Sequence, residues 1–315
     1  MTSNQYQTYK LMKRLGIFLL FCNFMCITLS AQQELGTVNW LRDYDLALQQ
    51  AEKTGKPILL LFQEVPGCAT CRNYGDQVLS HPLIVDAIEH EFIPLAIYNN
   101  VGGADRKVLE KYGEPTWNNP VVRIINAKEA NVLSRLSGNH SASGLVGHMS
   151  LALRAVGKGV PIYLDLLKQE LEADTGATAY YQMYCFWSGE SQLGAADGVV
   201  QTQPGFMNGA EVVQVKFDPD VIDKENLDRL AEKASCNTVS KVRKFRRDKD
   251  PQYYLKKSAY RTLPLTEIQK TKINAALAAN GDAKQYLSPT QLDWLDEGYK
   301  DSLYELPLQE AWTIY

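Results

Sequence analysis

The stretch "PILLLFQEVPGCATC", from Pro57 to Cys71, constrains this chain more than any other. A continuous apolar run, "PILLLFQ", reads as a strand buried on both faces. Two cysteines, Cys68 and Cys71, follow it, and "RNYGDQVLSHPLIVDAIEHEF" then reads as helix with a break at Pro82. This order places Cys68 at the C-terminal end of a strand and at the N-terminus of a helix. The unpaired N–H groups and positive dipole end of a helix N-terminus favour thiolate over thiol, so Cys68 is expected to have a lowered pKa and to attack. Cys71, one turn further on, is expected to be more buried and to act as the resolving thiol. On its own the pair admits a redox dithiol, a structural disulfide or part of a metal site. A bridge across two residues restrains little of the unfolded chain. Zinc would want two more Cys or His ligands at finger-like spacing, and His81, His90, His140 and His148 do not provide it. The redox reading is preferred, with no metal and no bound cofactor expected.

The N-terminus bears on the same choice. "KLMKRLGIFLLFCNFMCITLSAQQ" has a basic stretch (Lys10, Lys13, Arg14), an apolar segment from about Ile17 to Leu29, then Ser30 and Ala31. That is the order of a secretory signal peptide, here residues 1–31 with cleavage after Ala31. Its apolar part is short for a spanning helix, which needs about 20 residues. A lipoprotein reading would acylate Cys26, but Asn-Phe-Met is a poor lead into it. Of six cysteines, Cys22 and Cys26 would leave with the signal; Cys68, Cys71, Cys185 and Cys236 would remain. An exported, periplasmic or otherwise extracytoplasmic protein lives where disulfides persist. A net charge of -3 shows no basic excess, and the run "KVRKFRRDK" reads as a solvated helix face or loop, so no nucleic-acid partner is expected.

The rest of the first half alternates helix and strand. "NWLRDYDLALQQAEKTGK" carries apolar residues at helical spacing and stops at Gly55. "FIPLAIYNN", "NPVVRIINAK" and "NVLSRLSGN" read as further strands. With the strand, the Cys-x-x-Cys and the long helix in this order, residues 32–170 resemble a thioredoxin. The resemblance implies a cis-proline facing the disulfide at Pro120, with Asn119 before it offering backbone contacts to a bound partner. "VPGCATC" is similar to a thioredoxin-like group with Val-Pro-Gly before the first redox position, some members of which use selenocysteine there. Ala69-Thr70 stands where thioredoxin has Gly-Pro, which leaves the redox potential and the direction of electron flow open.

Beyond a helix in "GVPIYLDLLKQELEA", residues 171–315 carry a second pattern. "CFWSGE", "DGVV", "PGFMNGAEVVQVKFDP" and "VIDKENLDRL" resemble the core of A-type peptide methionine sulfoxide reductases from Ala179 to Leu255. That family has its catalytic cysteine in Gly-Cys-Phe-Trp, matched by Cys185, Phe186 and Trp187. Its Gly-His-Ala-Glu strand is matched by Gly209, Ala210 and Glu211. Its Asp followed five positions later by a Tyr is matched by Asp248 and Tyr253. Three departures stand out. Tyr184 replaces the Gly before the cysteine, the His is missing, and the substrate loop before the Ala-Glu strand is nearly absent. The fold class expected is α/β: a thioredoxin-like domain, then an α+β methionine sulfoxide reductase-like domain with a helical C-terminal extension.

The chemistry accounts for these residue types. A thiolate attacks the sulfoxide sulfur, and the leaving oxygen must gain a proton from an acid near neutral pH. Glu211 is the candidate acid, and Phe186 and Trp187 can wall an apolar slot for the methyl group. Asp248 and Tyr253 would orient the acid or hydrogen-bond the oxygen. Cys185 is left as a sulfenic acid, with which Cys236 can condense. The two halves together suggest electron relay in cis. Cys68 and Cys71 would reduce the second half, and an external thiol donor, such as a membrane relay protein, would reset them. The partners expected are oxidised exported proteins or peptides containing methionine sulfoxide. Two alternatives stay open. One is a thiol–disulfide oxidoreductase acting on exported clients, with a degenerate second domain used for binding. The other is a non-enzymatic binding protein with one stable disulfide.

Overall fold

The structure is a computed structural model and describes residues 34–117, 120–173, 176–298 and 301–315. The expected signal segment, with Cys22 and Cys26, lies outside the described residues. No described helix is long and apolar enough to cross a membrane. The chain forms two compact units, the first ending at Ser141 and the second starting at Ala142.

In the first unit, helix α1 (Tyr44–Thr54) starts at Asp43, whose side chain accepts the Leu46 N–H, and stops at Gly55 with φ +68°. Strand β1 (Ile58–Gln63) is buried at every position, as a strand covered on both faces must be. The helical stretch after it is two helices, α2 (Ala69–Gln77) and α3 (Pro82–Glu91), parted before Pro82 as expected. Strand β2 (Ile93–Tyr98), helix α4 (Ala104–Lys111) and strand β3 (Val121–Ile125) follow. The expected fourth strand is reduced to β4 (Leu136–Ser137) at the sheet edge. The sheet order is β2-β1-β3-β4, with β1 parallel to β2 and the other pairs antiparallel. Ile58, Leu60, Phe62, Leu95, Ile97 and Val121 are among the residues of one core.

Helices α5 (Ala142–Ala155) and α6 (Ile162–Glu172) fall with the second unit, whereas the sequence suggested a boundary at residue 170. Packing explains the difference. Leu166 of α6 shares a core with Val200 and Ile268, and the Glu170 carboxylate accepts the Ile268 N–H at 2.9 Å.

The second unit is built on β5 (Ala177–Gln182), α7 (Phe186–Gly194), β6 (Val199–Met207), β7 (Ala210–Phe217), α8 (Lys224–Lys233), β8 (Asn237–Thr238) and β9 (Arg246–Arg247). Its strands form one antiparallel sheet in the order β8-β5-β7-β6-β9. The β6–β7 hairpin turns through Asn208 and Gly209, at φ +54° and +81°. An Asn-Gly pair is the usual two-residue hairpin loop because both residues tolerate positive φ. Met207 pairs with Ala210, which opens β7, so Asn208 and Gly209 alone form the turn.

Helices α9 (Tyr253–Lys256), α10 (Glu267–Ala278), α11 (Pro289–Glu297) and α12 (Leu308–Trp312) complete the unit. Ser288 caps α11 through a capping box with Gln291. Helix α10 packs on α7 and β6.

Candidate active sites

In the first unit, Cys68 is the N-cap residue of α2 and is exposed, while Cys71 is fully buried. Their sulfurs are 3.7 Å apart, and both are free thiols. The Cys71 backbone N–H is the main cause holding the Cys68 thiol below its ordinary pKa, opposed by partial burial and aided by the Cys71 thiol and Thr70. Burial pushes the Cys71 thiol up to about 11. One thiol is therefore disposed to attack and the other to stay protonated until it resolves.

The loop before Cys68 is tightly held. Glu34 accepts the Gly67 N–H at 2.9 Å, and the buried Gln63 side chain donates to the Cys71 carbonyl at 3.2 Å. A Cβ on Gly67 would lie 2.5 Å from the Glu64 carbonyl and 2.7 Å from the Cys71 Cβ, so only glycine fits. The Val65–Pro66 peptide is cis. Pro120 is buried immediately before β3. Asn119, and with it the peptide bond into Pro120, lies outside the described residues. Glu64, Cys68 and Cys71 form a group of metal-capable side chains whose donor atoms lie within 4.8 Å of one another.

In the second unit, Cys185 is the N-cap residue of α7 and is half-buried. Strand β7 fixes its surroundings through Glu211. The Glu211 carbonyl accepts the Met183 N–H at 3.2 Å, and its carboxylate accepts the Phe186 N–H at 2.8 Å. A carboxylate thus satisfies one of the orphan donors at the helix start, directly beside Cys185. Phe186 packs edge-on against Trp187 at 5.6 Å and Phe206 at 5.3 Å. Trp187 stacks on Tyr253 at 4.4 Å and 22°. Cys185, Glu211, Phe186, Trp187 and Tyr253 therefore gather at one helix end. Tyr184, in place of a glycine, points to solvent at 99% exposure.

Two expected residues have other surroundings. Asp248 accepts the Asp250 N–H at 3.0 Å and bears electrostatically on Glu190. Cys236 is buried in the core, its sulfur 4.0 Å from that of Met183, and burial pushes its pKa up. Met183 also fills the space over Gly189, where a Cβ would meet its sulfur at 1.8 Å. Cys236 must be uncovered before it can react.

Sequence reasoning passed over Glu190 and Lys272. Glu190 is completely buried on α7, five positions after Cys185. Lys272, in the C-terminal helices, donates its ammonium to the Gly194 and Ala196 carbonyls at 3.0 and 2.6 Å. The Glu211 carboxyl and the Lys272 amine thus sit at opposite ends of α7.

A thioredoxin-like family model matches residues 39–127. A peptide methionine sulfoxide reductase from Drosophila melanogaster is 40% identical over 68 residues, 17% of this chain and 28% of that protein. The chain thus spans little more than a quarter of the length of that relative. A solved DsbH oxidoreductase is 18% identical with a TM-score of 0.33, over 38% of this chain and 88% of that one. The chain has a thioredoxin-like domain and a second part of sheet and helices, and the family match and the partial reductase likeness support a redox role for it.

Proposed function

We propose that the chain is an exported thiol-dependent enzyme that reduces methionine sulfoxide at Cys185, with the Cys68–Cys71 dithiol as reductant in cis. The observation that carries this is the seating of Cys185 at the N-terminus of α7. A carboxylate sits on the adjacent amide, with the Phe186–Trp187–Tyr253 wall beside it. The Cys185 thiolate attacks the sulfoxide sulfur, the oxygen takes a proton from the Glu211 carboxyl and passes to the Cys185 sulfur as its bond to the methionine sulfur breaks, and methionine leaves. Cys185 remains as sulfenic acid, which condenses with a thiol and releases water. The buried state of Cys236 favours direct capture by the exposed Cys68. Cys71 then closes the Cys68–Cys71 disulfide, and an external thiol donor resets the pair. Joining both activities on one chain raises the effective concentration of the second thiol.

The test is turnover of a methionine-S-sulfoxide peptide by the protein from Gln32 onward, with dithiothreitol as reductant. Methionine should form catalytically. Its absence, with the Cys68–Cys71 pair still exchanging with glutathione, would replace this reading with that of a thiol–disulfide oxidoreductase acting on exported clients.

A further inference from the structure

Glu190 lies on α7 about a turn and a half beyond Cys185 and is 0% exposed. Both of its carboxyl oxygens lie near the Gln252 N–H, at 3.2 and 3.1 Å, and the Tyr253 backbone N–H also bears on the carboxyl. Gln252 is itself 4% exposed and adopts a left-handed backbone at φ +57°. A non-glycine residue holds that conformation only where its surroundings determine it. The Gln252 side chain adds a long contact to the Thr202 carbonyl at 3.5 Å. The next residue, Tyr253, opens α9 and lays its ring on Trp187. An unbroken series of contacts runs from the buried carboxyl, through a strained turn, to an aromatic ring two residues from the reacting cysteine.

We propose that Glu190 is a positioning residue: its carboxyl fixes the Gln252–Tyr253 turn and so holds the Tyr253 ring on Trp187 beside Cys185. Burial, with the Asp248 charge adding to it, pushes the Glu190 carboxyl up to about 8. It is therefore mainly neutral at pH 7, as a buried group with backbone partners should be. The effect on substrate rests on the sulfoxide-reductase reading, whereas the ring geometry can be tested without it.

The test compares the full chain with Glu190→Met, which keeps the volume but cannot accept the amide, and with Glu190→Gln, whose carbonyl still can. Near-UV circular dichroism reports the Trp187–Tyr253 stack, with Tyr253→Leu as the reference for its loss. Glu190→Met should lose the aromatic band as Tyr253→Leu does. Its KM for a methionine-S-sulfoxide peptide should rise about tenfold or more, with kcat changed less than about threefold. Glu190→Gln should keep the band, with KM within about threefold of wild type. Glu190→Asp, which withdraws the carboxyl by one methylene, should also lose the band and serves if the Met variant does not fold. A folded Met or Asp variant with the wild-type band would overturn the proposal, as would a Gln variant that loses the band as fully as Met. If wild type lacks sulfoxide turnover, the functional reading fails while the aromatic band still decides the positioning role.

Discussion

Replacing Cys185 with serine is expected to abolish sulfoxide turnover, and Glu211→Gln to lower kcat by about 10²–10³-fold. A serine hydroxyl cannot supply the thiolate that attacks sulfur, and no sulfenic acid can form on it. Glutamine at position 211 has nearly the shape of glutamate, and its carbonyl can still accept the Phe186 N–H that the carboxylate now takes at 2.8 Å. It cannot give up a proton to the departing oxygen. Loss of rate in Glu211→Gln with an unchanged near-UV spectrum would therefore report proton transfer rather than disturbed packing. Single-turnover formation of methionine by the pre-reduced variants is the measurement. A Glu211→Gln rate equal to wild type would remove Glu211 from the chemistry.

Stability of the second unit is expected to fall between about pH 4.5 and 8 and to recover above 8. Glu190 has its folded-state pKa raised from 4.5 to about 8, chiefly by burial. Within that window the unfolded chain has lost this proton and the folded chain has kept it, so raising the pH favours unfolding. At about 1.4 kcal/mol per pH unit the loss is on the order of 5 kcal/mol, fully developed above the folded value. Lys272 works in the opposite sense. Burial lowers it from 10.5 to about 8, so between those values the unfolded chain binds the extra proton and stability rises with pH. That recovery is on the order of 3 kcal/mol. Denaturant unfolding from pH 5 to 10, for wild type, Glu190→Gln and Lys272→Met, separates the two limbs. The Gln variant should lose most of the falling limb, with Glu170, also raised by burial, supplying the remainder, and the Met variant should lose the rising one. Parallel curves for wild type and Glu190→Gln between pH 5 and 8 would contradict the buried neutral carboxyl.

What the sequence made legible was local. An apolar run followed by Cys-x-x-Cys specifies a strand-to-helix junction, and Cys68 caps a helix there. Pro82 parts two helices, and Ser288 caps another through its side chain. Cys185, Phe186 and Trp187 stand at a helix start, and Glu211 on the strand beside it. What stayed hidden depends on residues distant in the chain. Glu190 meets Gln252 across 62 positions, and nothing in "SGESQLG" alone marks its glutamate as buried. Lys272 reads as one solvated lysine among several until α10 packs on α7. The Asn208–Gly209 dipeptide was a usable hairpin signal, and it would have marked the missing loop as a tight turn. Helices α5 and α6 group with the second unit because of contacts such as Glu170 with Ile268, which lie 98 positions apart.

In the proposed cycle, sulfoxide reduction at Cys185 is coupled to oxidation of the Cys68–Cys71 pair, and one turnover without external thiol decides it. Fully reduced protein is mixed with one equivalent of a methionine-S-sulfoxide peptide, and methionine and disulfides are then mapped by mass spectrometry. The account predicts one methionine per chain, with the oxidising equivalent ending as a Cys68–Cys71 disulfide. No methionine, or methionine formed while Cys68 and Cys71 stay reduced, would contradict it.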